Sequence, residues 1–209
     1  KELLSNGDVN TVFITTRHDD HGEKVLSSLN SGKHVFVEKP LTIHEEELEE
    51  IKSFYSAAEK KPVLQVGYNR RFAPLVQEMK KIIKGLPVSI NYRVNAGVIP
   101  RDVWIQDSEV GGGRIIGEVC HFIDTCTFLT GSLPESVFAS CVTKPDQSIP
   151  DEDNVSVTIK YQNGSTAIIN YYAFGNSQLS KELVEVFAPE IALRMDNFRE
   201  LEIFKGSKS

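Results

Sequence analysis

Between Val9 and Val66 the chain alternates short, apolar, β-forming runs with amphipathic helical stretches, and this constrains its fold more than any other feature. The pattern predicts a strand over Val9 to Thr16, built on Val12-Phe13-Ile14. Asp20 with Glu23 reads as a capping pair opening a helix through Leu29, and Gly32 sits where a helix C-cap glycine belongs. His34 to Val37 is a second strand. Thr42 with Glu45 reads as a capping box for a helix to about Lys60, and Val63 to Val66 is a third strand. Strands joined through single helices are parallel, with right-handed crossovers. Ligands of open parallel sheets sit beyond the carboxyl ends of the strands. Three segments fall there: Thr15 to His21, Glu38-Lys39-Pro40, and Gly67 to Arg71.

After Arg71 the pattern changes. A helix over Phe72 to Lys84 precedes a strand over Val88 to Ala96 and a glycine-containing loop, Gly97 to Gly113, carrying the only tryptophan, Trp104. A helix from Arg114 to Leu129 ends at Gly131, and six further strands follow from Val137 onward. Asn163-Gly164 marks a hairpin. The expected fold is α/β followed by α+β. A partial Rossmann-type parallel sheet over residues 1–66 leads into a mainly antiparallel sheet domain over 67–209, with helices on one face.

The composition, 40% hydrophobic and 25% charged over 209 residues, excludes a disordered chain or a coiled-coil rod. A net charge of −6 argues against a large basic nucleic-acid footprint. Apolar runs such as His34 to Val37 are too short to span a bilayer, so no membrane partner is expected. Three cysteines, Cys120, Cys126 and Cys141, do not form a disulfide framework, and a reducing cytoplasm is the simplest compartment.

The helix from Arg114 to Leu129 is the most informative segment. At about 100° per residue, Ile115, Ile116, Val119, Phe122, Ile123, Cys126 and Leu129 share a broad core face. Gly117, Cys120, His121 and Asp124 lie opposite. His121 beside Asp124 suits proton transfer near neutral pH, and equally suits a surface His–Asp pair. Lys39, at a strand's carboxyl end before a proline, is either a hydroxyl-binding ammonium or a surface loop lysine. The acidic run Glu45, Glu46, Glu47, Glu49, Glu50 suits a solvated helix start. Cys120, His121 and Cys126 fit no strong zinc spacing, so no metal is expected. Arg70-Arg71 suits an anion clamp or salt bridges to the acidic helix, and Gly111-Gly112-Gly113 a tight helix entry.

In order and spacing, Val12 to Pro40, Gln65 to Phe72, and Trp104 with the triple glycine and His121-x-x-Asp124 resemble the Gfo/Idh/MocA oxidoreductases. These are the glucose–fructose oxidoreductase and inositol dehydrogenase relatives. The resemblance covers most of the chain. It implies NAD- or NADP-dependent hydride transfer on a sugar, cyclitol or related polyol, with the protein supplying placement and proton management. It implies catalytic roles for Lys39, His121 and Asp124, and a nicotinamide lining of Thr15, Thr16, His18, His21, Glu38 and Lys39. A substrate side would draw on Tyr68, Asn69, Arg70, Trp104, Glu118 and His121. Lys39 and His121 are expected to face one cleft. Relatives often associate through the sheet domain, so a homo-oligomer is implied.

Two departures stand out. Many relatives carry an aspartate one turn before the histidine; here Gly117 occupies that place, with Glu118 beside it. The dinucleotide fingerprint G-x-G-x-x-G is absent from the 209 residues. The expectation is an internal piece of a longer oxidoreductase, inactive by itself. The competing expectation is a non-catalytic module that binds sugar derivatives or regulates.

Overall fold

The computed structural model describes residues 2–142 and 153–206. The chain divides into two compact units: residues 1–68 with 100–120, and 69–99 with 121–209.

The first unit opens with a short helix, α1 (Glu2–Ser5). Strands β1 (Thr11–Ile14), β2 (His34–Val37) and β3 (Leu64–Val66) follow, separated by helices α2 (His21–Asn30) and α3 (Glu45–Ala57). The three strands pair parallel in the order β1-β2-β3. The apolar alternation predicted this arrangement. Ile14, Val25, Leu29, Val35, Val37 and Ile51 form the core, with Leu26, Leu41, Phe54 and Leu64 packed against it. Gly32, at φ +71° with its N–H on the Leu29 carbonyl, ends α2 as expected, but the predicted N-caps are not the ones used. Asp20 pairs with Lys24 instead of capping α2. Thr42 closes a turn onto His44, accepting its N–H at 3.0 Å, and donates to the Glu47 carboxylate. An oxygen-bearing side chain just before a helix serves a local turn as readily as an N-cap.

The segment 100–120 packs with the first unit, whereas a split at residue 66 places it in the second domain. Long-range hydrogen bonds hold it there: Asp19 N–H donates to the Val110 carbonyl at 3.1 Å, and His18 Nδ1 to the Gly111 carbonyl at 2.7 Å.

The second unit contains α4 (Pro74–Ile83), most of α5 (Cys120–Thr130) and a seven-stranded sheet. Its strands are β4 (Ser89–Asn95), β5 (Pro134–Cys141), β6 (Asn154–Tyr161), β7 (Thr166–Tyr172), β8 (Glu182–Ala188), β9 (Ile191–Asp196) and β10 (Glu200–Lys205). Their order is β10-β9-β8-β4-β7-β6-β5, antiparallel except for the central β4–β7 pair. Ile90, Tyr92, Val94, Ile169, Tyr171, Val184 and Val186 are buried on one face. Phe122 of α5 packs there, its ring 5.1 Å from Tyr92 and 6.0 Å from Tyr171. Gly164, at φ +85°, turns β6 into β7, as the Asn-Gly pair predicts.

The helix expected over Arg114 to Leu129 departs from regularity. Ile115–Val119 forms a π-turn before α5 begins. The wider turn shifts the helical phase by about one residue. Ile116, expected in the core, is therefore exposed, and Gly117, expected opposite it, is buried.

Candidate functional site

The carboxyl ends of β1 and β2 gather a polar cluster within the first unit. The exposed Thr15, Thr16 and Arg17 leave β1, and a 3-10 turn, His18–Asp20, leads into α2. Glu38, Lys39 and Pro40 leave β2, with Glu38 N–H donating to the Ile14 carbonyl at 2.9 Å. The Lys39–Pro40 bond is cis. Lys39 Nζ donates to the Gly117 carbonyl at 2.8 Å, so the ammonium is anchored on the π-turn. A π-turn changes the hydrogen-bond register of the carbonyls within it, and here one of them holds a cation.

His18 is buried over the same glycine. A Cβ at Gly117 would lie 3.3 Å from His18 Cε1, tighter than ordinary contact. The ring meets Trp104 edge-on, with centroids 4.8 Å apart, and Arg17 lies 5.7 Å from the Trp104 centroid on its face. Burial chiefly lowers the His18 pKa. The bond to Gly111 opposes this, the charges of Lys39 and His21 reinforce it, and Asp19 opposes it.

His21 corrects one expectation. It is fully buried, with Nδ1 donating to the Pro40 carbonyl at 2.7 Å and Nε2 3.2 Å from the Thr16 carbonyl. It braces the exits of β1 and β2 against each other and has no surface left to line a nicotinamide. Glu38 stays near the strand ends because Gly67 makes room. A Cβ at Gly67 would lie 3.2 Å from the Glu38 carboxyl group. Tyr68 follows β3 in a tight turn, its N–H donating to the Val66 carbonyl at 2.8 Å. Glu118 pairs with the buried Arg114 at 3.4 Å.

The second unit holds Arg70 and Asp124 in ion pairs. Arg71 donates through Nε and Nη2 to both oxygens of Asp124. Both oxygens of Asp124, expected to take part in proton transfer, are thus engaged by Arg71. Arg70 donates to Glu182 at 2.7 and 3.0 Å and lies 4.9 Å from the Phe122 ring centroid. Arg70, expected on the substrate side, is held in this ion pair. It lines, with Asn69, Ala73, Glu182 and Phe198, a pocket of about 310 Å³. His121, next to Phe122, is buried, and its carbonyl accepts from Thr125 Oγ1 at 2.7 Å. Sequence reading missed Glu182, Tyr92 and the carbonyls of Gly111 and Gly117. Only the glycine at 117 hinted at a close approach.

Among the described residues no group of three or more His, Cys, Asp or Glu side chains is placed to hold a metal. Cys120, Cys126 and Cys141 form no disulfide, and burial raises the Cys126 pKa far above its ordinary value. No helix among the described residues is long and apolar enough to cross a membrane.

A parallel sheet with polar residues at its strand ends, joined in sequence to a mixed sheet domain, makes a two-part α/β and α+β protein whose polar strand ends are the place for a ligand. Comparison with known proteins agrees. Residues 1–68 match the oxidoreductase-family NAD-binding Rossmann fold, and residues 76–186 match the GFO/IDH/MocA C-terminal domain. The chain belongs to the GFO/IDH/MocA oxidoreductase family. It is 26% identical to the myo-inositol 2-dehydrogenase of Thermotoga maritima over 97% of the chain and 61% of that protein. It is 28% identical to the inositol 2-dehydrogenase of Rhizobium meliloti over 94% of the chain and 60% of that protein. An NAD-binding oxidoreductase from Klebsiella pneumoniae superposes with a TM-score of 0.82 at 25% identity, covering 98% of this chain and 59% of that one. The chain thus spans about three fifths of the length of these relatives.

Proposed function

We propose that the chain is part of an NAD(P)-dependent oxidoreductase that moves a hydride between nicotinamide and a hydroxyl-bearing carbon of a sugar or cyclitol. The observation that carries this reading is Lys39, anchored on the Gly117 carbonyl at a strand's carboxyl end beside the His18 ring. The residues fit the nicotinamide end of a dinucleotide. Thr15 and Thr16 offer exposed hydroxyl groups, and Gly67 keeps open the space that the Glu38 carboxyl group uses. The cofactor, when bound, supplies the hydride acceptor or donor. Lys39 orients the reacting hydroxyl through an N–H bond to its oxygen. An imidazole takes the proton, and the family resemblance puts His121 in that role. Trp104 packs edge-on against the His18 ring beside this site. The inositol dehydrogenases among the relatives support a polyol substrate.

The reading extends to a cytoplasmic homo-oligomer using either NAD or NADP. Ile168 and Phe187, paired in register with Asn91 and Ser89, are exposed on the sheet face away from Phe122 and suit contact with a second copy. A non-catalytic sugar-binding module is the second reading, favoured by the glycine at 117. Both are tested on the complete protein with a panel of inositols and sugars, following reduced-nicotinamide absorbance with NAD and with NADP. Turnover that falls by about 10²-fold in Lys39→Ala supports the enzyme. Polyol binding without turnover supports the module.

A further inference from the structure

We propose that the main-chain carbonyl of Gly117, presented by the π-turn, is the group that positions Lys39 for reaction. The inference rests on the oxidoreductase reading above and adds a positioning residue to it.

Every group involved lies in the first unit. Lys39 Nζ stands 2.8 Å from the Gly117 carbonyl, and among the described residues it makes no other hydrogen bond. An ammonium carries three N–H donors. One points at the turn, and two stay available for a substrate oxygen. The anchor therefore fixes the nitrogen without occupying it.

The turn accounts for the carbonyl's position. In a regular α-helix each carbonyl accepts from the N–H four residues on. Across Ile115–Val119 the bonds run five residues on, and α5 starts its own ladder at Cys120. Gly117 lies within that change of register, and its carbonyl meets a side chain 78 residues away in sequence. The residue type matters as well. A Cβ at 117 would stand 3.3 Å from His18 Cε1, tighter than ordinary contact, and 3.5 Å from the Gly111 carbonyl oxygen. His18 is fixed in turn: its Nδ1 donates to that same carbonyl at 2.7 Å, and its ring abuts Trp104. Glycine lets the turn sit directly on this wall, which sets how far its own carbonyl reaches toward Lys39.

The anchor also decides the charge. Among the described residues no carboxylate forms an ion pair with Lys39. A carbonyl is neutral, so the full positive charge faces the hydroxyl oxygen as that oxygen gives up its proton and becomes alkoxide-like. Fixed charge aimed where charge develops is a large term in transition-state stabilisation. The glycine at 117 is thereby compatible with a working enzyme.

Backbone ester substitution in the complete enzyme tests the contact, because an ester carbonyl is a weaker acceptor of nearly the same shape. The α-hydroxy analogue of glutamate at position 118 weakens the Gly117 carbonyl. The matched control places the α-hydroxy analogue of isoleucine at the exposed position 116, which weakens the Ile115 carbonyl of the same turn instead. The 118 ester is expected to lower kcat about tenfold, the share of one hydrogen bond to a charged group. It should also raise KM for the polyol and leave KM for the nicotinamide cofactor unchanged. The control should keep all three values. A mere loss of folded enzyme lowers kcat and moves neither KM. Nitrogen-15 NMR of the Lys39 ammonium, assigned by its disappearance in Lys39→Met, adds a readout without turnover. Its hydrogens should exchange slowly with water in wild type and control, and faster in the 118 ester. Equal losses in the two esters, or wild-type kinetics and exchange in the 118 ester, overturn the positioning role alone. A wild type that oxidises no polyol sinks the oxidoreductase reading, and the positioning role with it.

Discussion

Glu182 accepts two hydrogen bonds from Arg70, at 2.7 and 3.0 Å, and a third from the Tyr92 hydroxyl at 2.5 Å. These partners are 112 and 90 residues away in sequence, and Arg70 rests on the ring of Phe122, next to His121. The cluster thus joins β4, β8 and the start of α5. A buried ion pair is weak evidence of net stabilisation, yet removing one partner strands the other. Glu182→Ala should cost about 3–5 kcal/mol in urea unfolding. Glu182→Gln, which keeps acceptor and shape, should cost less. Equal losses in the two variants would show that the charge is not what matters there.

Asp124 is clamped by Arg71 in the same way, and the clamp separates two roles. If its carboxylate only holds the helix, Asp124→Asn should lower stability by about 2 kcal/mol, a charge-assisted hydrogen bond's share. The complete enzyme's pH–rate profile should keep its shape. A changed profile with unchanged stability would return Asp124 to the proton-transfer group.

Much of this fold was legible in the chain. Every main strand and long helix follows from apolar alternation, because each element's buried face is written in consecutive residues: Ile90, Tyr92 and Val94, for example, point one way. The site was legible only in part. Lys39 and His18 stand at strand exits, where topology alone points. Nothing local distinguishes His18, with one nitrogen bonded, from His21, with both ring nitrogens held against carbonyls. The π-turn has no sequence signature, so helical spacing put Ile116 inside when it is outside. The attachment of residues 100–120 to the first unit depends on contacts such as His18 to Gly111, 93 residues apart.

Alkaline stability should report on Tyr161. Burial, with Cys126 nearby, raises its phenol from 10.0 to about 12. The folded state therefore holds the proton more tightly than the unfolded chain does. That contribution is complete below pH 10 and is lost as the pH rises from 10 toward 12. Tyr161→Phe cannot ionise, so its unfolding free energy should fall less steeply over this interval. A decline matching wild type would place the sensitivity elsewhere.

The acid side reports on His18 with the opposite sign. Its folded pKa lies below 6.5, so the folded state resists the proton that the unfolded chain accepts. The stabilisation is present above pH 6.5 and is lost as the pH falls from there through the folded value. Denaturant titrations of wild type and His18→Asn should diverge below pH 6.5 and run parallel above it. Parallel curves throughout would mean that the ring protonates as it does in the unfolded chain.

Gly111 joins packing and chemistry at one position. Its carbonyl fixes the His18 tautomer, and a Cβ there would stand 2.4 Å from the Ile105 Cα. The obstacle is backbone, which cannot rotate aside as a side chain does. Gly111→Ala must therefore move the loop carrying Trp104 and with it the carbonyl that holds the ring. Overpacking of this kind costs about 1–3 kcal/mol. The more telling expectation is that the His18 titration shifts in the variant, because its anchor has moved. Gly112 offers a control on the same loop: a Cβ there would press on the Ile43 side chain, at 2.7 Å, and touch the Ile116 Cβ at an ordinary 3.6 Å, though its φ of +72° adds strain of its own. Gly112→Ala should thus lower stability while leaving the His18 tautomer in place. If both variants disturb the ring equally, loop integrity in general, not the Gly111 carbonyl, governs it.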